Sequence, residues 1–521
     1  MKTSIEISIK ISKVRSITTM KPMKFHHLRF YKPLLPMLAG TLLLATGGCA
    51  MMRDGPAPLA QIDVQQIRLA EDIKLSRDGW PQAQWWHRYG DSQLDALIEQ
   101  ALKDAPVMSV ATSRIAASRA QVSLTDATRG LLVGFSASVD RQDISANSYL
   151  GPFSHNIPAE GFTGPWYTEG TLGLSAEYSF DFWGKERAKV DAALGMRNAR
   201  QAEAAQTELI LSARVTQVYF DIQALYVALG LLEQAQGIET DMVSAHAARA
   251  ERGLESVTQT EMARTHKLEL DKQISAAHSR ISMLRETLRS LLGAGPDKLP
   301  VIKPLSLPDS AGALPSTLGY ELLARRPDLQ AMRWTVQASQ RQIDVAKAAF
   351  YPSVDIKSFY GLDALHLDDL LHSSSKQVNL IPGLSLPIFD SGRLNAGLAN
   401  ARTQSNVLIA QYNQSIVEAV REVAQDGIEL ESLSRQVQIQ DAKLKASAVS
   451  QDSAEAHYRN GLADKVTAME AKLPVLLEQG KLNELRNQQI DTEIALTMAL
   501  GGGYTSDAED VKTVGVIKEA R

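Results

Sequence analysis

The chain has 521 residues, 44% hydrophobic but only 6% aromatic, and a formal net charge of −4. That length accommodates several domains, and beyond about the first fifty residues no stretch reads as apolar enough, for long enough, to cross a bilayer as a helix. One cysteine, Cys49, excludes an internal disulfide.

Residues 1–48 stand apart from the rest. They hold eight Lys or Arg and a single acid, Glu6, then an apolar run from Leu34 to Ala45 and the small residues Gly47 and Gly48 before Cys49. Basic, then apolar, then small is the order of a secretory signal. A lone cysteine at its cleavage point is the acceptor of a bacterial lipoprotein's lipid, so we assign a lipoprotein-type signal to 1–48 and lipidation to Cys49. An ordinary signal with a leftover cysteine is the alternative. Thr46 departs from the Leu, Val or Ile usual at that place, and Ala50 is not the Asp that would hold a lipoprotein at the inner membrane. The start codon stays open among Met1, Met20 and Met23. Without residues 1–48, 47 basic residues face 58 acidic ones, a net of −11, which argues against nucleic acid as a partner and against wrapping anionic lipid.

After a mature N-terminal segment over 49–104, the chain repeats itself. Phe180-Asp181-Phe182-Trp183-Gly184-Lys185 returns as Phe389-Asp390-Ser391-Gly392-Arg393. Arg252-Gly253-Leu254 returns as Asn460-Gly461-Leu462, and Leu292-Gly293-Ala294-Gly295 as Leu500-Gly501-Gly502-Gly503. Landmarks kept at one offset mark an internal repeat. The first copy spans 105–300, a linker 301–318, the second copy 319–503 and a tail 504–521. Each copy reads as helix, two strands, long helix, helix.

Strands are predicted at about 131–144, 168–182, 353–362 and 378–389, from alternation such as Phe135, Ala137, Val139 and Leu172, Leu174, Ala176, Tyr178, Phe180. Apolar residues on one face and small or polar ones on the other suit a lipid-facing barrel; a soluble sheet with one wet face fits the same pattern. Trp166, Tyr167, Phe182, Trp183, Phe350, Tyr351, Phe359, Tyr360 and Phe389 crowd the strand ends, as interfacial girdles do. Four strands are too few to close around a lumen, since even small filled barrels need about eight. Either several chains share one barrel, or the sheet is not a barrel.

Long helices are predicted over 185–290 and 393–499. Leu211, Val215, Val218, Ile222, Leu225, Leu229 and Leu232 keep heptad steps, as do Ala419, Val423, Leu430, Leu433 and Val437 around Asp426, which gives coiled-coil seams. A helix from Lys185 to Arg252 spans on the order of 100 Å, a length suited to a duct.

The two Phe-Asp motifs mark strand-to-helix turns. Gly184 and Gly392 supply the unusual backbone angles, Asp181 and Asp390 accept from helix-start amides, and Arg393 follows the second turn. Gly253 and Gly461 are the stop residues of hairpin tips. His366, Asp368, Asp369 and His372 lack any familiar metal-ligand spacing and read as a surface loop, and no motif of an enzyme is present.

With Trp85-Trp86, Asp91, Leu94 and Leu97, the decapeptide Tyr320-Glu321-Leu322-Leu323-Ala324-Arg325-Arg326-Pro327-Asp328-Leu329 and both turn motifs, the chain resembles the TolC-like outer membrane factors, in the NodT branch of efflux lipoproteins, from about Trp80 to Tyr504. The resemblance implies an α+β chain that trimerises: a shared outer-membrane β-barrel, four strands per chain, joined to a long periplasmic coiled-coil barrel of helices with an equatorial collar to which 49–104 contributes. It implies a periplasmic adaptor and an inner-membrane transporter as partners, and an outer-membrane channel for drugs or toxic small molecules. Arg252, Gly253, Leu254, Asn460, Gly461 and Leu462 then face the adaptor. Lys465 to Ala471 aligns with the segment that closes the family's periplasmic aperture, making Val466 and Glu470 gate residues. Spacing of four puts both on one helix face, and three Glu470 carboxylates would form a cation-selecting ring; a solvated helix glutamate is the plainer reading. Thr467 stands where some relatives carry an acid. Pro474, inside the predicted helix, is expected to kink it. No cofactor is implied beyond the lipid on Cys49. A protein-secretion duct of the same fold and a coiled-coil lipoprotein without a pore are the alternatives.

Overall fold

The computed structural model describes residues 52–53, 55–62, 79–143, 145, 166–295, 298–309, 312–315 and 319–505. Cys49, the signal segment and the C-terminal tail from 506 lie outside the described residues.

Two copies of one supersecondary unit build the chain. A helix α1 (Ser92–Asp104) leads in. The first copy is α2 (Pro106–Ala127), β1 (Leu132–Asp143), β2 (Trp166–Phe180), α3 (Lys185–Glu251) and α4 (Val257–Leu291). A short α5 (Gly319–Arg325) precedes the second: α6 (Pro327–Ala348), β3 (Ser353–Ala364), β4 (Lys376–Ser385), α7 (Arg393–Arg459), α8 (Lys465–Glu470) and α9 (Leu473–Ala499). Helices α3 and α7 each run 67 residues, on the order of 100 Å.

The strands form one antiparallel sheet in the order β1-β2-β3-β4. Its register sorts the two faces. Phe135, Leu174, Tyr360 and Val378 lie in one row and Phe180, Val354 and Leu384 in another, on the apolar face; Ser136, Gly173, Gly361 and Gln377 make a row on the other. Gly173 and Gly361 cross so closely that a Cβ on Gly173 would sit 2.8 Å from the Gly361 Cα, and the Phe359 ring covers both. The polar face carries a Lys357–Glu177 ion pair (3.5 Å) and a Thr171–Asp363 hydrogen bond (3.1 Å). Strand β4 stops at Ser385 rather than 389 and carries Pro382 opposite Ile356 within its ladder. Phe350 leaves the expected girdle: it is 4% exposed and belongs to the core, whereas Trp166, Phe182, Trp183, Tyr360 and Phe389 are exposed.

The heptad seam of α3 is buried at Leu211, Val215, Val218 and Ile222. There it meets Trp85, Trp86, Leu94, Leu97 and Ile98 on one side and Leu288, Ile490 and Ile494 on the other. Each such side chain contributes about 1.5–3 kcal/mol on burial. Tyr219 and Phe220 are buried as well, as are the polar Ser212, Thr216 and Gln223, so this part of the helix is enclosed nearly all round. Helix α3 does contain a window of mean hydropathy 1.4, long and apolar enough to cross a bilayer, contrary to the expectation that none does. Half of that window is buried inside the protein, so its apolarity serves packing. A second core joins Leu329 and Val336 of α6 to Ile409, Ile416, Ala419, Val423 and Leu430 of α7.

An N-terminal strap, residues 53 and 55–62, lies along α7. Asn395, Asn406 and Asn413 accept from the backbone N–H groups of Arg53, Leu59 and Ile62 at 2.9, 3.1 and 3.0 Å, and Asn413 donates back to the Ala60 carbonyl at 2.9 Å. Side-chain amides thus hold the strap by its main chain.

Arg326 explains the Arg-Pro-Asp sequence that opens the second copy. Its guanidinium, 8% exposed, forks onto Asp328 (3.1 and 2.7 Å) and donates to Glu422 of α7 (2.8 Å) and the Ala499 carbonyl at the end of α9 (3.1 Å). Three elements meet at one planar cation, a geometry lysine cannot reproduce. Arg326→Ala is therefore expected to cost about 3 kcal/mol, the lower end for a broken buried pair because both acids keep some water, read as a lower urea midpoint.

Candidate functional site

Strand hands over to helix in two related turns. In the first, Asp181 accepts from the Glu186 and Arg187 amides at 3.1 and 2.8 Å, and Gly184 takes φ +72. In the second, Asp390 accepts from the Gly392 and Leu394 amides at 3.0 and 2.7 Å, and Gly392 takes φ +85. A carboxylate upstream of a glycine N-cap satisfies amides the glycine cannot reach, and it favours the positive helix end. The second turn is one residue shorter and puts Ser391 at φ 57; the Arg393 amide donates to the Asp390 carbonyl at 3.1 Å.

The far ends of α3 and α7 close with the same paired bonds. Gly253 donates to Ala250 and Leu254 to Arg249; Gly461 donates to Tyr458 and Leu462 to His457, all within 2.8–3.0 Å. This is the Schellman arrangement, with glycine in the left-handed conformation: φ is 67 at Gly253 and 72 at Gly461. The leucine after each glycine usually folds back onto its helix. Here Leu254 and Leu462 stay 71% and 75% exposed. Arg252 and Asn460, the two C-caps, flank them and are likewise exposed.

Between the tips runs a charged network that sequence reasoning did not single out. Asp464 caps α8 through the Thr467 amide (2.8 Å) and accepts from Arg249 of α3 (2.7 Å). Arg249 also approaches Glu255 (3.4 Å), which is 2.9 Å from the His246 Nδ1. The Thr467 amide and hydroxyl, with Arg249, hold the Asp464 carboxyl down to about 2. One ion pair therefore joins the first hairpin to the second.

Val466 and Glu470 do not share a surface. Val466 is 6% exposed and packs with Met242 of α3, Ala263 of α4 and Met469, whereas Glu470 is exposed. Residues four apart diverge by about 40° around a helix, and the edge of the packed face falls between these two. Behind them Glu239 is 3% exposed, with its Oε2 unpartnered and His266 3.7 Å from Oε1. Burial pushes the Glu239 carboxyl up; the nearby Glu470 adds to this, while His266 and His246 oppose it.

Pro474 also differs from expectation. The helix is broken at Ala471–Lys472, and Pro474 lies in the first turn of α9, where its missing N–H is not needed. It starts a helix and kinks none. The corresponding stretch of the first copy, α4, is continuous over 35 residues, so the break belongs to the second hairpin.

His372 and Asp369 pair at 3.3 Å on the exposed loop between β3 and β4. Cys49 lies outside the described residues.

Because Asp464 is held low, its tie contributes fully above about pH 4, the ordinary aspartate range, and is lost as pH falls toward about 2. Hydrogen exchange is the measurement: Asp464→Ala is expected to speed exchange of the α8 amides about fivefold at neutral pH, near the ~1 kcal/mol of a lost N-cap.

A model of the outer membrane efflux protein family matches residues 97–294 and 318–502, one match per copy of the repeat. The multidrug resistance outer membrane protein MdtP of Shigella flexneri is 46% identical over 471 residues, covering 90% of this chain and 96% of its own. The multidrug resistance outer membrane protein MdtQ of Escherichia coli O157:H7 is 39% identical over 468 residues, covering 89% and 97%. Among solved structures, the outer membrane protein VceC from Vibrio cholerae aligns with a TM-score of 0.72 at 29% identity, over 81% of this chain and 100% of its own. The Campylobacter jejuni CmeC outer membrane channel shares the fold at 18% identity, with a TM-score of 0.75 over 89% and 97%.

Proposed function

This chain belongs to the outer membrane efflux protein family, and we propose how its geometry carries that work. It is an outer-membrane channel of a multidrug efflux system, barrel in the membrane and helices in the periplasm. Three chains pool their strands into one barrel and their helices into one duct. The observation that carries this reading is the sheet: one face apolar, the other polar and small, and both edges unpaired within one chain.

The channel supplies a path and does no bond chemistry. Drugs or toxic small molecules enter from a periplasmic adaptor and an inner-membrane transporter. The adaptor grips the paired tips, where Leu254 and Leu462 offer apolar contacts beside Arg252 and Asn460. Gly253 and Gly461 shape those tips and need not touch the partner. A lipid on Cys49 anchors the strap in the outer membrane.

At the closed end, three Glu470 carboxylates, one per chain, form the acidic ring. Val466 pins α8 against the first hairpin. The break before Leu473 and Pro474 gives α8 a hinge on its other side, with Arg249–Asp464 holding it shut.

Periplasmic crosslinking followed by identification of the attached proteins is the first test. An adaptor joined near Gly253 and Gly461, with a small-molecule transporter behind it, is expected; a secretion ATPase in its place would move the assignment to protein export. In planar bilayers, Glu470→Gln is expected to reduce cation selectivity severalfold while leaving the trimer intact. Unchanged selectivity would remove Glu470 from the gate.

A further inference from the structure

Just below the sheet, a groove runs from the first strand-to-helix turn along α3 and α6 to the strap. Its upper part, about 350 Å³, lies between Trp183, Arg187, Arg341 and Lys347. Its lower part, about 1120 Å³, shares Arg341 and Lys347, adds Arg402 of α7, and is walled by Gly55 to Pro58 of the strap. Two acids, Asp191 and Asp344, face the same space. Asp344 is already shared between Arg341 (3.3 Å) and Lys347 (3.9 Å). Four cations against two acids leave an excess of positive charge.

The groove opens directly beneath an apolar belt. Phe180, on the apolar face of the sheet, stacks on Phe182 at 5.5 Å, and Phe182 is 66% exposed. Trp183 stacks on Tyr351 at 4.7 Å and donates its indole N–H to the Pro352 carbonyl at 2.8 Å. A half-exposed indole with its polar edge satisfied suits a membrane boundary. Hydrocarbon-facing rings above and unbalanced cations below match the two halves of a phospholipid.

We propose that this groove binds the headgroup of an anionic phospholipid from the inner leaflet of the outer membrane, with its acyl chains on the Phe180–Phe182 belt. Arg187 and Lys347 contact the phosphate at the mouth; Arg402 extends the positive lining toward the strap. Basic pockets at membrane boundaries hold such headgroups by charge-assisted hydrogen bonds. This lipid site rests on the proposed outer-membrane reading and its Cys49 anchor.

The test is native mass spectrometry of the full-length, lipidated trimer, extracted from nanodiscs of phosphatidylethanolamine containing phosphatidylglycerol. The wild-type trimer is expected to retain phosphatidylglycerol preferentially. Arg187→Gln combined with Lys347→Gln is expected to cut that preference by up to about thirtyfold, the effect of two interfacial cations at about 1 kcal/mol each, with the heat stability of the trimer unchanged. If the double variant does not assemble, Arg402→Gln alone serves, with a smaller loss in the same direction. Equal retention by wild type and an assembled variant overturns the site. So does displacement of the lipid by millimolar inorganic phosphate, which would make the groove a free-anion site. The mass of the N-terminal peptide separates the two failures: an unmodified Cys49 refutes the anchor alone, because the lipid preference is read independently.

Discussion

A strand edge in hydrocarbon has nowhere to place its N–H and C=O groups. Within one chain β1 and β4 are edges, so a solitary four-stranded sheet cannot persist in a bilayer. Joining the β4 of one chain to the β1 of the next removes the edges, and three chains reach the size at which a barrel encloses a lumen. Once the strands close a ring, the helices that continue them must close one as well. The apolar residues left exposed on α2, such as Val107, Val110 and Leu124, and on α7, such as Val417, Ile428 and Ile439, suit that closure. The fold of the monomer is in this sense incomplete by design.

Glycines set the geometry of everything below the barrel. Gly184 and Gly392 start the two long helices; Gly253 and Gly461 stop them; Gly293 and Gly501 stop the returning ones, all with positive φ. Every pair lies 208 residues apart. The C-terminal ends share one hydrogen-bond pattern, for Ala294 donates to Arg289 as Gly502 does to Thr497. At Gly501 a side chain is impossible twice over, since a Cβ would fall 1.8 Å from the Arg325 carbonyl. Against this regularity the copies part at the shorter second strand-to-helix turn and at the break at Ala471–Lys472, and the break lies beside the segment proposed as the gate.

Much of this was legible because a repeat is self-checking: a landmark found twice at one offset needs no partner chain to be recognised. Alternation likewise separated the faces of the sheet. What stayed hidden depends on long-range geometry. The strap left only a faint trace, asparagines at 395, 406 and 413 on one face of α7. Glu239, His246 and Arg249 sit in helix segments rich in charge, where nothing local distinguishes a buried acid from a solvated one. Pro474 was read as a kink because it lies inside the helix predicted over 393–499; only the structure shows a helix ending before it and another beginning at Leu473. Val466 and Glu470 were grouped by the family resemblance and placed on one helix face by their spacing, and their different neighbours separate them.

The equal lengths of α3 and α7 carry a consequence for how such a protein can change over generations. One inserted residue would advance a hairpin tip by about 1.5 Å and turn it by about 100°, leaving one leucine out of line with its counterpart. Insertions in one copy are tolerable only when matched in the other, and only in steps that restore the seam, such as seven or eleven residues. Lineages of this duct should therefore lengthen or shorten both arms together, in whole increments.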